Sequence, residues 1–358
     1  MTDFVIDELI LPDSLDGPGG DEFRELIAMR NEVELDTLGT DAITATAEAI
    51  FPHFISNPHK SRRHFVVRDE GRIVARGLFA WMTADNAPAA SLMADVLPAH
   101  RGRGIGTALF DLQEQLAAEL GRRVLHASVI HTSSSGGERI ASPTGFGDLP
   151  AADAGVRFLL GRGYRLEQVV RISSLDLTDA KESLEGQRRT AQEKAGDDYR
   201  VVSWIGRTPE RWLGSKAALA TAMSTADPSA GLEVIEDVWD AERVRAHDDR
   251  QDGSGRTLFT SAAEHIPSGT LVAYTELGRL EGRDKPAIQE DTLVLTEHRG
   301  KRLGMLLKAA NAQFVAEHAP DTALVTTFNA EENEPMLRVN IEMGFEPIGA
   351  EGEWQKLV

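Results

Sequence analysis

The chain contains the stretch Val96-Leu97-Pro98-Ala99-His100-Arg101-Gly102-Arg103-Gly104-Ile105-Gly106 and returns to the same pattern as Val294-Leu295-Thr296-Glu297-His298-Arg299-Gly300-Lys301-Arg302-Leu303-Gly304. In each copy a strand-like segment ends in a basic, Gly-rich loop, and the loop leads into an amphipathic run with helical spacing. Free backbone amides at a helix start, the helix dipole and glycines that admit close approach together form a site for anions. The sequence therefore predicts a phosphate-binding loop in each half of the chain.

The composition excludes several classes of partner. The chain has 358 residues, a net charge of −19 and no cysteine. That charge repels nucleic acids and anionic membrane surfaces, so neither is expected as a partner. Without cysteine there is no disulfide, thiolate metal site or Cys nucleophile, and with no signal peptide this favours the cytoplasm. No His, Asp and Glu cluster has the spacing of metal ligands, so we expect no metal site.

The order of predicted elements indicates a fold that occurs twice. Each half reads as strand, helices, hairpin, strand, Gly-rich loop, helix, strand, short helix and a final strand after a Gly-aromatic pair, Gly163-Tyr164 or Gly344-Phe345. We expect an N-terminal domain over 1–178, a linker helix over 179–198 and a C-terminal domain over 199–358. The first half is longer because of a Ser/Gly/Pro-rich loop at 131–150, which is either a substrate lid or a disordered insertion.

This order, together with the motif Arg101-Gly102-Arg103-Gly104-Ile105-Gly106 after Val96, resembles the GNAT superfamily of acyl-CoA N-acyltransferases. Two such domains in one chain resemble tandem GNAT proteins of the mycothiol synthase type. The resemblance implies an α+β fold in which each domain has a mixed, twisted sheet flanked by helices. It also implies that acetyl-CoA is the cofactor. Its contacts in the first domain would come from Val96, Arg101, Gly102, Arg103, Gly104, Ile105 and Gly106.

The second loop departs from the family pattern. Arg302 stands where a glycine is expected, so its side chain crowds the anion and a left-handed backbone there would be strained. A second cofactor site would comprise Val294, Arg299, Gly300, Lys301, Arg302, Leu303 and Gly304, with Asn333 at the place of a family asparagine that touches the cofactor. Neither domain has the family's general-acid tyrosine, because Leu159 and Asn340 occupy its place.

Transfer of an acyl group to an amine needs a neutral amine and a donor for the developing oxyanion. A backbone N–H near Val96 or Val294 would be that donor. Carboxylates on the strand before each loop are the candidate bases, namely Asp95 in the first half and Glu290 and Asp291 in the second. His126, His131 and the terminal carboxylate of Val358 are weaker alternatives, and an isolated carboxylate or histidine is more often a structural or solvated group.

We therefore expect a GNAT-type N-acetyltransferase that moves an acetyl group from acetyl-CoA to a primary amine of a small molecule by direct attack in a ternary complex. The alternative is a catalytically degenerate acyl-CoA-binding sensor or structural protein, which the missing tyrosine and Arg302 favour. The sequence leaves the acceptor and the oligomeric state open.

Overall fold

The structure is a computed structural model that describes residues 4–56, 60–83, 88–132, 136–226, 237–252, 255–280 and 286–358. The chain divides into two compact units. Unit 1 contains residues 1–170 together with 349–358, and unit 2 contains residues 171–348. Each unit is an α+β fold with a mixed sheet and flanking helices. No helix in the described ranges is long and apolar enough to cross a membrane.

Unit 1 is built around a mixed sheet with the strand order β1-β2-β3-β4-β5-β14. The elements are β1 (Ile6–Leu9), α1 (Gly20–Leu38), α2 (Ala47–Phe54), β2 (Lys60–Asp69), β3 (Arg72–Met82), β4 (Ala89–Val96), α3 (Ile105–Glu119), β5 (Val124–Thr132), β6 (Arg139–Ala141), β7 (Asp148–Pro150), α4 (Ala154–Gly161), the first half of β8 (Arg165–Asp176) and most of the last strand of the chain, β14 (Glu346–Leu357). Residues of β14 pair antiparallel with β5, from Gly349 opposite Thr132 to Leu357 opposite Val124.

The two parallel strands of unit 1, β4 and β5, separate halfway along their length. Their pairing runs from Ala89 opposite Val124 to Leu92 opposite Ala127, and then stops. β4 continues to Val96 and remains paired with β3. The carboxyl-terminal ends of β4 and β5 therefore form a cleft, which lies beside the loop that follows β4.

A buried amide on α3 fixes this helix against β4. The Gln113 side chain is fully buried, accepts a hydrogen bond from Met93 N at 3.1 Å and donates to Met93 O at 3.0 Å. It fits because Gly77 lies beneath it, where a Cβ would come within 2.8 Å of Gln113 Nε2. Since a buried amide must be paired, this arrangement fixes the position of α3 relative to β4.

Unit 2 has the strand order β13-β12-β11-β10-β9 with the end of β8 beside β13. Its further elements are α5 (Leu177–Ala195), β9 (Tyr199–Ile205), α6 (Leu213–Met223), α7 (Ala241–Asp252), β10 (Arg256–His265), β11 (Thr270–Leu280), β12 (Ala287–Val294), α8 (Leu303–His318), β13 (Leu324–Ala330) and α9 (Glu334–Met343). The parallel pairing of β12 with β13 covers only Ala287 opposite Val325 and Ile288 opposite Thr326, so these strands also separate.

The two units repeat the same local hydrogen bonds. Leu97 N donates to Val74 O at 2.9 Å in unit 1, and Leu295 N donates to Val272 O at 3.0 Å in unit 2. Strand β12 carries an irregularity that β4 lacks, because its register against β11 shifts between Thr275 and Leu277. Apart from this irregularity, the two units share the backbone hydrogen bond that precedes each loop, in addition to the sequence pattern.

The division of the chain differs in two places from the predicted 1–178, 179–198 and 199–358. The segment expected as a linker forms α5, whose buried Leu177, Ala180 and Leu184 belong to the core of unit 2. The final strand leaves unit 2 after residue 348 and supplies residues 349–358 to the sheet of unit 1.

Residues 136–150, expected as a lid or a disordered insertion, contain the two-stranded hairpin β6–β7. Residues 133–135 of that stretch lie outside the described ranges.

Candidate functional site

The first loop has the geometry of an anion site. It passes through a short 3-10 turn at Pro98–His100, and then Gly102 and Gly104 adopt left-handed backbone angles with φ of 77° and 84°. Gly104 caps α3, and Ala108 N donates to its carbonyl at 3.0 Å. The amides of residues 102–107 donate to no acceptor in the described part of the chain. They are free to bind an anion at the positive end of α3.

The Arg101 side chain stabilises the conformation of the first loop. Its Nε donates to Val96 O at 3.0 Å, and its Nη1 lies 3.2 Å from Asp36 Oδ2 on α1. Because Leu97 N points to β3, the preceding N–H of Val96 points toward the side of β5, where strand pairing has already ended. A backbone donor therefore faces the cleft between β4 and β5.

The second loop has the same backbone path with a different residue at the cap. Arg299 Nε donates to Val294 O at 3.2 Å, and Gly300 has φ of 77°. Arg302 takes the place of Gly104 as the cap of α8 with φ of 58°, and its guanidinium binds Glu342 on α9. The backbone at this position is left-handed although the residue is an arginine. That conformation costs a residue with a Cβ about 1–2 kcal/mol.

Asp95 is held in an ion pair. Its Oδ2 lies 2.6 Å from Nη2 and 2.7 Å from Nε of Arg76, directly across the β3–β4 pair. Arg76 is 6% exposed, so the carboxylate neutralises a buried charge. Asp95 therefore has a structural partner before any substrate is considered.

A second group of carboxylates lies on α1 and β14, near the part of β5 that has separated from β4. Glu34 on α1 is 7% exposed, and its Oε1 lies 2.5 Å from Nη2 of Arg30. Glu351 lies opposite Ile130 and Glu353 opposite Ser128, on the part of β5 that has separated from β4. The Glu351 side chain has no hydrogen bond or ion pair with any described residue. This makes Glu351 the carboxylate in the cleft that is free to take a proton.

Burial and crowding change the protonation of this group. Burial, together with repulsion from Glu353 and Glu34, raises the pKa of Glu351 to about 7. Burial also raises the pKa of Glu34 to about 7, although the cation of Arg30 opposes the shift. The pKa of Glu353 is raised by burial, which the hydrogen bond from Ser128 Oγ at 2.7 Å opposes. A carboxylate with a pKa near neutrality suits general-base catalysis.

The corresponding face of unit 2 is filled. Tyr274 takes the place of Arg76, is fully buried and donates to Asp291 Oδ2 at 2.8 Å. Lys216 of α6 places its ammonium 3.6 Å from the centre of the Tyr274 ring and 2.7 Å from Glu276 Oε2. Burial opposes ionisation of Glu276, but Lys216 and Thr260 Oγ1 outweigh it and lower the pKa of that carboxyl. Lys216 therefore places an internal ammonium ion beside Tyr274, the residue that corresponds to Arg76 of unit 1.

The remaining candidates have structural partners. Glu290 pairs with Arg256 in unit 2. His126 Nε2 lies 3.1 Å from Gln355 Oε1, and fully buried His131 has Nδ1 2.9 Å from Asp153 Oδ1, the N-cap of α4. Val358 follows the end of β14 that pairs with Val124, at the opposite end of β5 from the cleft.

Neither unit has a proton-donating side chain at the position of the family's general-acid tyrosine. Leu159 is fully buried in the core of unit 1. Asn340 donates to Asn329 Oδ1 at 2.6 Å in unit 2. Asn333, expected to contact the cofactor, caps α9 by accepting from Met336 N at 3.4 Å.

Sequence reasoning missed Glu34, Glu351 and Glu353. They come from the first helix and the last strand. These elements are near each other because residues 349–358 of β14 belong to the sheet of unit 1. One signal was present, since Glu351 and Glu353 alternate with Gly352 and Trp354 and must share one face of a strand.

Comparison with known proteins agrees with this geometry. Residues 60–137 match the model of the acetyltransferase (GNAT) domain, a range that includes β2 to β5 and the first loop. Curated protein sequences gave no match. Among solved structures, a tandem GNAT protein from the clavulanic acid biosynthesis pathway is 26% identical with a TM-score of 0.74, covering 99% of this chain and 98% of that one.

Two further structures share the fold at lower identity. A GCN5-related N-acetyltransferase from Sphaerobacter thermophilus is 14% identical with a TM-score of 0.59, over 99% of this chain and 95% of that one. A GCN5-related glucosamine N-acetyltransferase region of a fungal multi-domain β-N-acetylglucosaminidase is 17% identical with a TM-score of 0.60, over 99% of this chain and 38% of that one.

Proposed function

Because the chain has the tandem GNAT fold and carries a GNAT acetyltransferase domain over residues 60–137, we propose that it is an acetyl-CoA-dependent N-acetyltransferase of small amines whose active site is in unit 1. The observation that carries this proposal is the first loop, where the amides of residues 102–107 are free and open onto the separated ends of β4 and β5.

The residues of unit 1 match what acetyl-CoA requires. The amides after Gly102 and Gly104 would hold the diphosphate, aided by the cation of Arg103. Neither glycine has a neighbour within 4 Å of a built Cβ, so the approach to these amides is open. When bound, the cofactor supplies an activated thioester carbonyl. The N–H of Val96 would donate to its oxygen as negative charge develops there.

Glu351 is our proposed general base. The incoming ammonium group must lose a proton before its nitrogen attacks, and Glu351 has no other partner in the cleft. The C–N bond would then form and the C–S bond break, and the second proton of the attacking nitrogen would pass to the leaving thiolate directly or through water, because Leu159 stands at the position of the family tyrosine. No cysteine is present, so the acyl group passes directly to the amine.

Unit 2 would not catalyse. Its loop keeps the backbone geometry, but Arg302 projects a side chain from the cap, and the buried Lys216 and Tyr274 lie next to the candidate base Asp291. The second cofactor site at 294–304 is therefore proposed as vestigial.

Substitution of Gly104 by Asp tests the choice of unit. A carboxylate at the diphosphate position should weaken acetyl-CoA binding at least 100-fold in calorimetric titration of the full chain. Gly104→Asn is the matched control, because asparagine also tolerates the left-handed backbone but adds no charge. Arg302→Asp places a carboxylate at the equivalent position of unit 2, where we expect the affinity to stay within about twofold.

Unchanged affinity in the Gly104→Asp variant would refute the proposal for unit 1. Free thiol release with a panel of amines separates the enzyme from the alternative, the acyl-CoA sensor. Tight acetyl-CoA binding with turnover of no amine would favour the sensor.

A further inference from the structure

Unit 1 contains a cavity at the edge of its sheet, separate from the cleft beside the first loop. The cavity lies where the chain leaves β1 and passes the end of α2 and the start of β2, and its volume is about 320 Å³. Strand β3 stands between β2 and β4, so the cavity and the first loop belong to different parts of the sheet. Its volume lies within the range of small-molecule sites. The proposed acetyl transfer uses none of its residues.

One side of the cavity is apolar. Leu9, Leu11 and Phe54 line it and also pack in or against the core of unit 1. Ile10 and Ile55 line it as well, yet they are 75% and 40% exposed. Large apolar side chains exposed beside a cavity indicate a surface that an apolar ligand would cover. We therefore expect the ligand of this cavity to have an apolar portion.

His64 adds a polar but uncharged group to the wall of the cavity. It is buried, its ring stacks on Phe54 with the centroids 5.2 Å apart, and its Nε2 lies 3.0 Å from Phe54 O. Burial lowers the pKa of His64 to about 4, although the hydrogen bond to Phe54 O opposes the shift. The imidazole is therefore neutral at neutral pH and offers no charge to a ligand.

Arg62 supplies a cation whose side chain is held in place but only partly bonded. Ser56 Oγ accepts from Arg62 N at 2.8 Å, and Arg62 Nη1 donates to Ile55 O at 2.8 Å. Its Nε and Nη2 have no hydrogen bond or ion pair with a described residue, and neither atom is fully buried. Burial lowers the pKa of this guanidinium, and no carboxylate of the described chain opposes that shift. A half-buried cation without an anion is unfavourable, so an anionic ligand would stabilise it.

The other charged groups near the cavity leave this positive charge in place. Glu8 is neutralised by Arg63, whose Nε and Nη2 donate to its carboxylate at 2.8 and 2.6 Å. Asp13 is exposed, where water weakens its effect. Lys60 lies two residues before Arg62 on the same face of β2, and burial together with the charge of Arg62 lowers its pKa. The field around Arg62 is therefore positive and favours a carboxylate.

We propose that this cavity binds a medium-chain monocarboxylate, with its carboxylate on Arg62 and its alkyl chain against Leu9, Leu11 and Phe54. The Nε and Nη2 atoms form one edge of the guanidinium and can donate to both oxygens of a carboxylate. At roughly 30 Å³ for each non-hydrogen atom, the volume accommodates a ligand of about ten such atoms, which is the size of octanoate. Such binding does not require acetyl transfer.

Calorimetric titration of the full chain compares octanoate with three related compounds. Hexanoate is shorter by two methylenes and should bind about tenfold more weakly, because it covers less of the apolar wall. 1-Octanol and 1-aminooctane keep the alkyl chain but lack the negative charge, so both should bind more weakly by about tenfold or more. Equal affinity for octanoate and 1-octanol would overturn the role of Arg62, and equal affinity for octanoate and hexanoate would overturn that of the apolar wall.

Two variants with matched controls locate the site. Arg62→Gln should weaken octanoate binding by about tenfold or more. Arg72→Gln removes the same charge at the other end of the β2–β3 hairpin and should leave the affinity unchanged. Ile10→Asp changes an exposed residue and so spares the core, but its carboxylate should repel octanoate and weaken binding about fivefold. Ile341→Asp, at an exposed position of α9, should not weaken it.

The outcomes distinguish this site from the cofactor loop. Octanoate binding that is retained in both Arg62→Gln and Ile10→Asp, or that is absent in the unaltered protein, would overturn the proposed site. Binding that is lost in Gly104→Asp but retained in Arg62→Gln would place the carboxylate at the first loop and would overturn it as well. Acetyl-CoA affinity is measured separately, so the acetyltransferase function can fail while octanoate binding stands, and the reverse.

Discussion

Glu351 shows how burial gives an ordinary side chain a chemical role. An exposed glutamate is ionised at neutral pH and is a weak base. In the cleft of unit 1, burial and the neighbouring carboxylates Glu353 and Glu34 raise its pKa to about 7. The proton affinity follows from position, because Glu351 lies among these carboxylates, whereas Glu346 at the start of the same strand is exposed.

We expect kcat/KM to fall about tenfold per pH unit below pH 7, because the protonated carboxyl cannot accept a proton from the amine. Glu351→Gln should lower kcat by about 10²- to 10⁴-fold at pH 8 and abolish this limb of the profile. Steady-state rates from pH 5.5 to 9 give both quantities.

Stability provides the control for that variant. A carboxyl whose pKa is raised in the folded state costs stability as the pH rises from its unfolded value toward about 7 and above. Glu351→Gln removes that cost, so the variant should unfold at equal or higher urea at pH 8. A pH limb that persists in this folded variant would exclude Glu351 as the base.

At the scale of elements, α3 and α8 begin with the same left-handed cap conformation. The cap residue is a glycine in α3 and an arginine in α8. Gly104 and Arg302 have φ of 84° and 58°. The glycine accepts this conformation without strain, whereas the arginine carries a steric cost and offsets part of it through its contact with Glu342. The geometry of the loop is therefore set by the strand–turn–helix connection and not by the residue at the cap.

A matched pair of alanine substitutions should expose this difference. Gly104→Ala introduces left-handed strain where none exists and should lower the free energy of unfolding by about 1 kcal/mol. Arg302→Ala keeps a strain that is already present and loses only a partly exposed ion pair, so it should cost less than about 0.5 kcal/mol. Urea denaturation measures both, and equal losses would contradict the argument.

At the scale of the molecule, unit 1 is formed by two separate segments of the chain, because residues 171–348 form unit 2. Residues 349–358 complete the sheet of unit 1, and Trp354 among them is fully buried in its core. Gly349 is required where β14 passes α1, since a Cβ there would lie 2.3 Å from Leu38 Cδ2. Both the core and the proposed base of unit 1 therefore depend on the last ten residues.

A chain that ends at residue 348 should lose acetyl-CoA binding together with the unfolding transition of unit 1. Loss of Trp354 alone is worth about 3–5 kcal/mol. Removal of only Val358, which is exposed, is the control and should change neither property. A peptide of residues 349–358 added in excess should restore binding, and full binding by the truncated chain without it would refute the dependence.

The α+β fold and the strand–loop–helix order around Gly104 were predicted correctly from the sequence. Helical and strand periodicity, and glycines at 102 and 104 before a helix, are local properties, so they could be read without tertiary contacts. The alignment of Arg302 with Gly104 indicated only that a left-handed backbone at Arg302 would be strained, and the structure has φ of 58° there.

The partners and the protonation of the carboxylates could not be predicted from the sequence. Asp95, Glu290 and Asp291 lie close to the loops in sequence, yet Arg76, Arg256 and Tyr274 bind them. Glu34 and Glu351 are distant in sequence and meet because β14 crosses into unit 1. The pKa of a carboxyl depends on burial and on neighbours brought by strand pairing, which residue spacing along the chain does not encode.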